Sequence, residues 1–189
     1  MLKMVWSTEL QKAAQHWADL CYRNHSLQEQ RLHNGEPCGE NIVTSPECIH
    51  WTRAIQEWMD EAKFLDFGKG IIGDAAVGHY CQAMTDYTFQ VGCGVSKCKT
   101  GSQEEMFYVC RYFPAGNREE SLYTPYAVGE PCSMCKEYCD TSLNLCTNFC
   151  EHTDTFQNCE EVAKYRKDLC SGPDKDGCKA KCLCPNRRS

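Results

Sequence analysis

Nowhere in the 189-residue chain do 18 or more apolar residues run together, which excludes a membrane-spanning helix. Glycine- or proline-rich tracts are missing too, so no segment has the composition of a flexible linker. Positive charge is not in excess: the formal net charge is −6 and the pI is about 5.5. A general nucleic-acid binder, whose affinity rests on neutralising phosphates, is therefore not expected. The common catalytic signatures are absent: there is no HExxH pair, no G-x-S-x-G elbow and no phosphate-cradling loop. A hydrophobic leader is also missing from the N-terminus.

What the chain has in quantity is cysteine, 17 residues in all. Seven lie in the first 131 residues and ten in the last 58. Thiols at this density belong in an oxidising compartment as a disulfide framework, so the expected location is extracellular. That conflicts with the missing leader, and the expectation is that Met1 is not the native start and that a signal peptide is missing. The first 131 residues are apolar enough to bury a core, whereas the last 58 need covalent staples.

Leu10, Ala13, Ala14, Trp17, Ala18 and Cys21 form one stripe at helical spacing, with Thr8 and Gln11 resembling a capping box at its start. Trp51, Ala54, Ile55, Trp58, Met59 and Ala62 repeat the spacing and place Glu61 at the end of a second helix. The period then falls to two. Phe89, Val91, Cys93 and Val95 alternate with Gln90, Gly92 and Gly94, and a second run covers 106–113 beyond a polar loop at 99–103. Such a pair predicts an antiparallel hairpin, and helices followed by antiparallel strands predict an α+β fold. The Pro- and Gly-punctuated stretch 123–131 marks a boundary. Beyond it, 132–163 carries one lysine against six acids, while 164–189 carries eight basic residues against three acids. A solvated surface is the plain explanation of that basic end.

Cys132-x2-Cys135 has the spacing of a zinc or redox pair, but among ten cysteines in 58 residues it reads as structural. His25, Glu40, Glu61 and His79 have the chemistry of a metal or acid–base site, although their spacing alone puts no two on one helical face. Asn24-His25-Ser26 is formally a glycosylation sequon, inaccessible if His25 faces inward.

Taken together, several segments resemble the cysteine-rich secretory proteins of the CAP superfamily. They are 1–6 (Met-Leu-Lys-Met-Val-Trp), Asn24-His25-Ser26, Cys38-Gly39-Glu40-Asn41, Trp58-Met59-Asp60-Glu61, Gly78-His79-Tyr80 and Val109-Cys110-Arg111-Tyr112-x-Pro114-x-Gly116-Asn117. The resemblance covers essentially the whole chain. It implies an α-β-α sandwich CAP domain over 1–122 lacking its first helix, a linker and disulfide hinge over 123–149, and a small helical ShKT-like module over 150–184. It also implies a groove tetrad of His25, Glu40, Glu61 and His79, in which the two histidines bind a divalent ion such as zinc without strictly requiring it. The implied pairings are Cys21–Cys98, Cys93–Cys110, Cys132–Cys139, Cys135–Cys146, Cys150–Cys184, Cys159–Cys178 and Cys170–Cys182.

Three departures stand out. Phe113 replaces the usual partner of Cys38, while Cys48 and Cys81 are additional, so Cys38 is expected to re-pair with Cys48 or Cys81. The segment Gln82-Ala83-Met84-Thr85 replaces a bulky apolar run, which puts groove packing in question. The N-terminal segment is internal in the family.

For function, the resemblance implies a secreted, monomeric, non-enzymatic protein that blocks or modulates ion channels, as venom toxins do. Ryanodine receptors and voltage-gated calcium or potassium channels are the implied targets. The contacts would come from the cluster Lys164, Arg166, Lys167, Lys175, Lys179, Lys181, Arg187 and Arg188 with Tyr165 and Phe156, foremost Lys164, Tyr165, Lys179 and Lys181, offered to an acidic channel vestibule. The alternatives are a reproductive-tract or gland protein that binds cell surfaces, a metal- or sterol-binding CAP groove, and a metal-assisted protease using the tetrad.

Overall fold

The structure, a computed structural model, describes residues 1–152, 154–156 and 158–184; Arg187 and Arg188 of the basic cluster lie outside the described residues. The chain divides into two compact units, the first ending at Val128 and the second beginning at Gly129.

The first unit opens with β1 (Val5–Trp6) and α1 (Thr8–Asp19). A short hairpin, β2 (Leu32–His33) and β3 (Glu36–Pro37), leads into β4 (Gly39–Ser45) and α2 (Trp51–Met59). A second small hairpin, β5 (Leu65–Asp66) with β6 (Gly70–Ile71), precedes α3 (Gly78–Ala83) and the long strands β7 (Gln90–Thr100) and β8 (Gln103–Phe113). One sheet forms in the order β1-β7-β8-β4, antiparallel except for the β1–β7 pair. Alternation along β8 sends Phe107 and Val109 to one face, where Ala14, Trp17 and Ala18 of α1 cover them. Cys110 and Tyr112 go to the other face, against Trp58 of α2. The result is the expected mixed α-β-α sandwich, with helices on both faces of a mainly antiparallel sheet.

The glycines of β7, which alternate with its apolar residues, lie on a covered face. A Cβ on Gly92 would lie 2.2 Å from the Gln11 nitrogen, and one on Gly94 would lie 2.4 Å from the Gln15 Cα. The backbone of α1 rests directly on them, so only hydrogen fits. The hairpin is also tighter than its polar loop suggested. β7 and β8 pair out to Thr100 and Gln103, turning at Gly101 with φ of 63°. Helix α1 starts one residue earlier than Thr8 implied: Ser7 is the cap, and its hydroxyl accepts from the Leu10 amide at 3.3 Å. Gln11 does not close a capping box, because its side-chain oxygen takes the Trp6 indole N–H at 2.9 Å.

In the second unit, β9 (Cys139–Asp140) and β10 (Leu145–Cys146) form a two-stranded ribbon, followed by α4 (Cys159–Tyr165) and α5 (Lys179–Leu183). Disulfides Cys132–Cys139 and Cys135–Cys146 brace the ribbon; Cys150–Cys184, Cys159–Cys178 and Cys170–Cys182 brace the helical part. Among the described residues, the apolar cluster of the helical part is Cys159, Leu169 and Cys178 with Val162, Ala163 and Cys182 around it. So small a core leaves cross-links to confine the unfolded chain. In the first unit Cys21–Cys98 ties the end of α1 to β7, and Cys93–Cys110 links β7 to β8.

Cys38 does not re-pair: Cys38, Cys48 and Cys81 are all free. Cys38 is buried among the charges of Arg111, Arg31, Glu9 and Glu40, whereas Cys81 is buried near Glu61 with Val77 and Tyr80. The sheet lies between these two neighbourhoods, and Cys48 is exposed beside Tyr108. Phe113, at the position of the lost partner, packs its ring edge-on to His33 with centroids 4.8 Å apart. Burial pushes both inner thiols up to about 11, so they stay protonated and unreactive at neutral pH.

Two outcomes follow from this packing. Alkylation of the native, unreduced protein should label Cys48 alone, and unfolding without reduction should add Cys38 and Cys81, as read by peptide mapping. Gly94→Val should lower stability by roughly 1–3 kcal/mol, measured by urea unfolding.

Candidate functional site

Glu40 is the second residue of β4, and its register partner is Arg111 on β8. Their side chains therefore share one face of the sheet, and both are almost fully buried, at 1% and 5% exposed. The Arg111 Nε lies 3.5 Å from Glu40 Oε2. Ser26 completes the cage: its amide donates to Oε1 at 2.9 Å and its hydroxyl to Oε2 at 2.8 Å. His25 Nδ1 lies 3.0 Å from Oε1. Burial pushes the Glu40 carboxyl up, but the bonds from His25 and Ser26 and the Arg111 charge outweigh it and hold the acid below its ordinary range.

The second half repeats this logic with different elements. Helix α2 ends at Met59, and a 3₁₀ turn, Asp60–Phe64, carries Glu61, which the sequence pattern had placed on the helix itself. From there its Oε2 accepts the first amides of α3, His79 at 2.9 Å and Tyr80 at 3.1 Å, groups that a helix start leaves without partners. Its Oε1 lies 2.7 Å from His79 Nδ1. Asn41 of β4 locks the same turn by donating to the His79 carbonyl at 3.0 Å.

The four side chains thus form two histidine–carboxylate pairs, with imidazole centroids 6.3 Å apart. In each pair the carboxylate occupies Nδ1, and neither Nε2 has a hydrogen-bond partner among the described residues. Both rings line one cleft of about 350 Å³, with Arg23, Asn24, Ile42, Val43 and Thr44. The indole of Trp58 stacks on His79 at 6.2 Å. Imidazole Nε2 atoms backed by carboxylates are the donor set that zinc selects, so the residues fit a divalent ion. Among the described residues no third His, Cys, Asp or Glu joins them, so solvent or an exogenous ligand would supply the remaining coordination.

The replaced segment does not reach this cleft. Gln82 is buried over Gly39, where a Cβ would sit 1.9 Å from its oxygen, and that oxygen accepts the Gly116 amide at 2.8 Å. Its Nε2 is buried without a partner, a local cost at a residue that does not line the cleft. Ser26, Asn41 and Arg111 are the contributors that residue spacing missed. The Glu40–Arg111 register was their available signal, and it exists only once the strands pair.

In the second unit, Lys164 and Tyr165 close α4, and Tyr165 is 82% exposed. Lys179 and Lys181 lie on α5. Lys181 is committed inside the module: its Nζ meets Glu160 at 2.7 Å and its amide donates to Asp154. Arg166 is likewise held by Asp168 and Asp174. Lys164, Lys167, Lys175 and Lys179 have no ion-pair partner among the described residues.

Comparison with known proteins accounts for both units. The profile described as CAP, cysteine-rich secretory protein family, matches residues 1–112, and a Crisp profile matches 132–188. The chain belongs to the cysteine-rich secretory protein family. It is 44% identical to cysteine-rich secretory protein 1 of Mus musculus over 99% of this chain and 75% of that protein. Identity is 42% to cysteine-rich secretory protein 2 of Homo sapiens, covering 99% and 76%. The cysteine-rich venom protein helothermine of Heloderma horridum horridum is 36% identical, covering 97% and 75%. Among solved structures, Na-ASP-1 superposes with a TM-score of 0.63 at 30% identity, covering 78% of this chain and 38% of that one. NaASP2 with Zn2+ gives 0.59 at 33% identity, covering 77% of each. As a disulfide-rich member of this family with secreted mammalian and venom relatives, the chain is fitted to an extracellular setting.

For this family member the Glu40 cage makes a pH-dependent prediction. A carboxyl held below its ordinary value stabilises the fold above that value, and the contribution is lost as pH falls through the lower native one. Glu40→Gln, which strands Arg111, should cost ~3 kcal/mol at pH 7. The gap to wild type should shrink as pH drops below about 4, measured by denaturant unfolding across pH.

Proposed function

We propose that this protein is a secreted, non-catalytic binding protein whose second unit engages the extracellular vestibule of an ion channel or receptor. The observation that carries the reading is Tyr165, 82% exposed beside an unpaired Lys164 at the end of α4. An aromatic and a cation on a disulfide-braced unit lose little freedom on binding, and exposed tyrosines serve well as interface anchors. Lys179 can extend that contact, whereas Lys181 supports the module through Glu160. A venom relative is compatible with a channel target and the mammalian secretory relatives with a cell-surface one, and the same surface would serve either. Depolarisation-evoked calcium and potassium currents and ryanodine binding, recorded with the oxidised full chain, test the channel reading. Tyr165→Ala or Lys164→Gln should weaken block by about tenfold or more, and Lys167→Gln should not. Absence of any effect at micromolar protein would overturn the channel reading in favour of the cell-surface one.

A second reading concerns the cleft and is favoured by its two carboxylate-backed imidazoles. His25 and His79 would hold a divalent ion through Nε2, and the ion would add a Lewis-acidic anchor for an oxygen-bearing ligand. Zinc titration followed by Trp58 fluorescence should show saturable binding in the wild type. It should be lost in His79→Ala and weakened roughly 10–100-fold in Glu61→Gln, whose carboxylate orients the ring without touching the ion.

A further inference from the structure

We propose that Asn24 carries an N-linked oligosaccharide at the rim of the two-histidine cleft. This rests on the reading of the chain as secreted. Asn24-His25-Ser26 is the chain's one N-x-S/T sequence. The fold divides the motif in a telling way. Asn24 is exposed, its carbonyl taken by the Trp17 indole at 3.1 Å, and its side-chain amide has no partner among the described residues. His25 does not face inward: its side chain is 54% exposed. Ser26, whose hydroxyl the transfer reaction needs, ends buried on Glu40. A finished fold is therefore closed to the transferase, while the modified asparagine is compatible with that fold.

Chain order opens the necessary window. Glu40, which captures Ser26, follows 14 residues later. Cys98, which clamps the loop through Cys21, follows 77 residues after it. At ~5–20 residues per second the clamp cannot close for about 4–15 s after Cys21 is made, so the sequon passes as open chain. In the transfer, Asn24 Nδ2 attacks the anomeric C1 of a lipid-linked oligosaccharide diphosphate. The N–C1 bond forms, the C1–O bond breaks, one amide proton is released and the lipid diphosphate departs. No electrons change hands. Asn24 lines the cleft with His25, Thr44 and His79, so the sugar stands at its mouth, shielding Arg23 and the cleft from macromolecules.

Expression of the full chain behind an added secretory leader in mammalian cells tests this. Peptide N-glycosidase should increase gel mobility and convert Asn24 to Asp in the peptide map. Asn24→Gln should lose that shift while being secreted with the same seven disulfides. Native trypsin should cut after Arg23 more slowly in the glycosylated form than in Asn24→Gln, and equal rates would overturn the shielding. Secreted, disulfide-bonded protein with unmodified Asn24 overturns the glycan and leaves secretion standing. Protein retained with reduced cysteines overturns both.

Discussion

A carboxylate taken almost completely out of water governs the first unit. Glu40 sits on β4 beneath the loop that follows α1, and an uncompensated charge there would cost several kcal/mol. Arg111 reaches it because β4 and β8 pair with Glu40 opposite Arg111. Ser26 reaches it because Cys21–Cys98 returns the end of α1 to β7 and sets the loop down over the sheet edge. Arg31 fastens that loop again by donating to the carbonyls of Ser26 and Cys38. Sheet register, disulfide and loop thus meet at one buried ion, and the position of His25 is a by-product of satisfying it.

Glu61 does for His79 what Glu40 does for His25, with a different device. A short 3₁₀ turn delivers its carboxylate to the opening amides of a six-residue helix, too short to hold its own start in place. Each acid therefore has a structural task, as counter-charge or cap, together with a chemical one, the orientation of an imidazole. That double use explains how a surface cleft can hold two imidazoles in fixed orientation with Nε2 left free. It also means that the carboxylates and histidines will not separate cleanly in mutational work.

The second unit is organised on other terms. Its few buried side chains are mostly half-cystines, so its shape depends on cross-links rather than apolar area. Several of its charges are spent on itself: Lys181 with Glu160, and Arg166 with Asp168 and Asp174. The local excess of basic residues therefore overstates what the unit offers to a partner. Lys164 and Tyr165 close α4 and lie exposed, and among the described residues no acid pairs with Lys164.

Much of this was legible in the chain. The stripes beginning at Leu10 and Trp51 and the alternation around Cys93 are local periodicities, which survive folding because they report which side of one element is covered. Where reading stopped, a neighbour remote in sequence had intervened. The alternation named Gly92 and Gly94 without saying what covers them, and only the fold lays α1 on them. Cys38 looked in need of a new partner, yet the sheet keeps it from Cys81. By itself the sequence determined the element types, the α+β class, the dependence of the last third on cysteine and the candidate ligands. Tertiary structure alone decided that Arg111 and Ser26 cage Glu40, that both imidazoles keep Nε2 free over one cleft, and which lysines stay unpaired. Those outcomes depend on strand register and loop closure, and both are set by contacts between residues tens of positions apart.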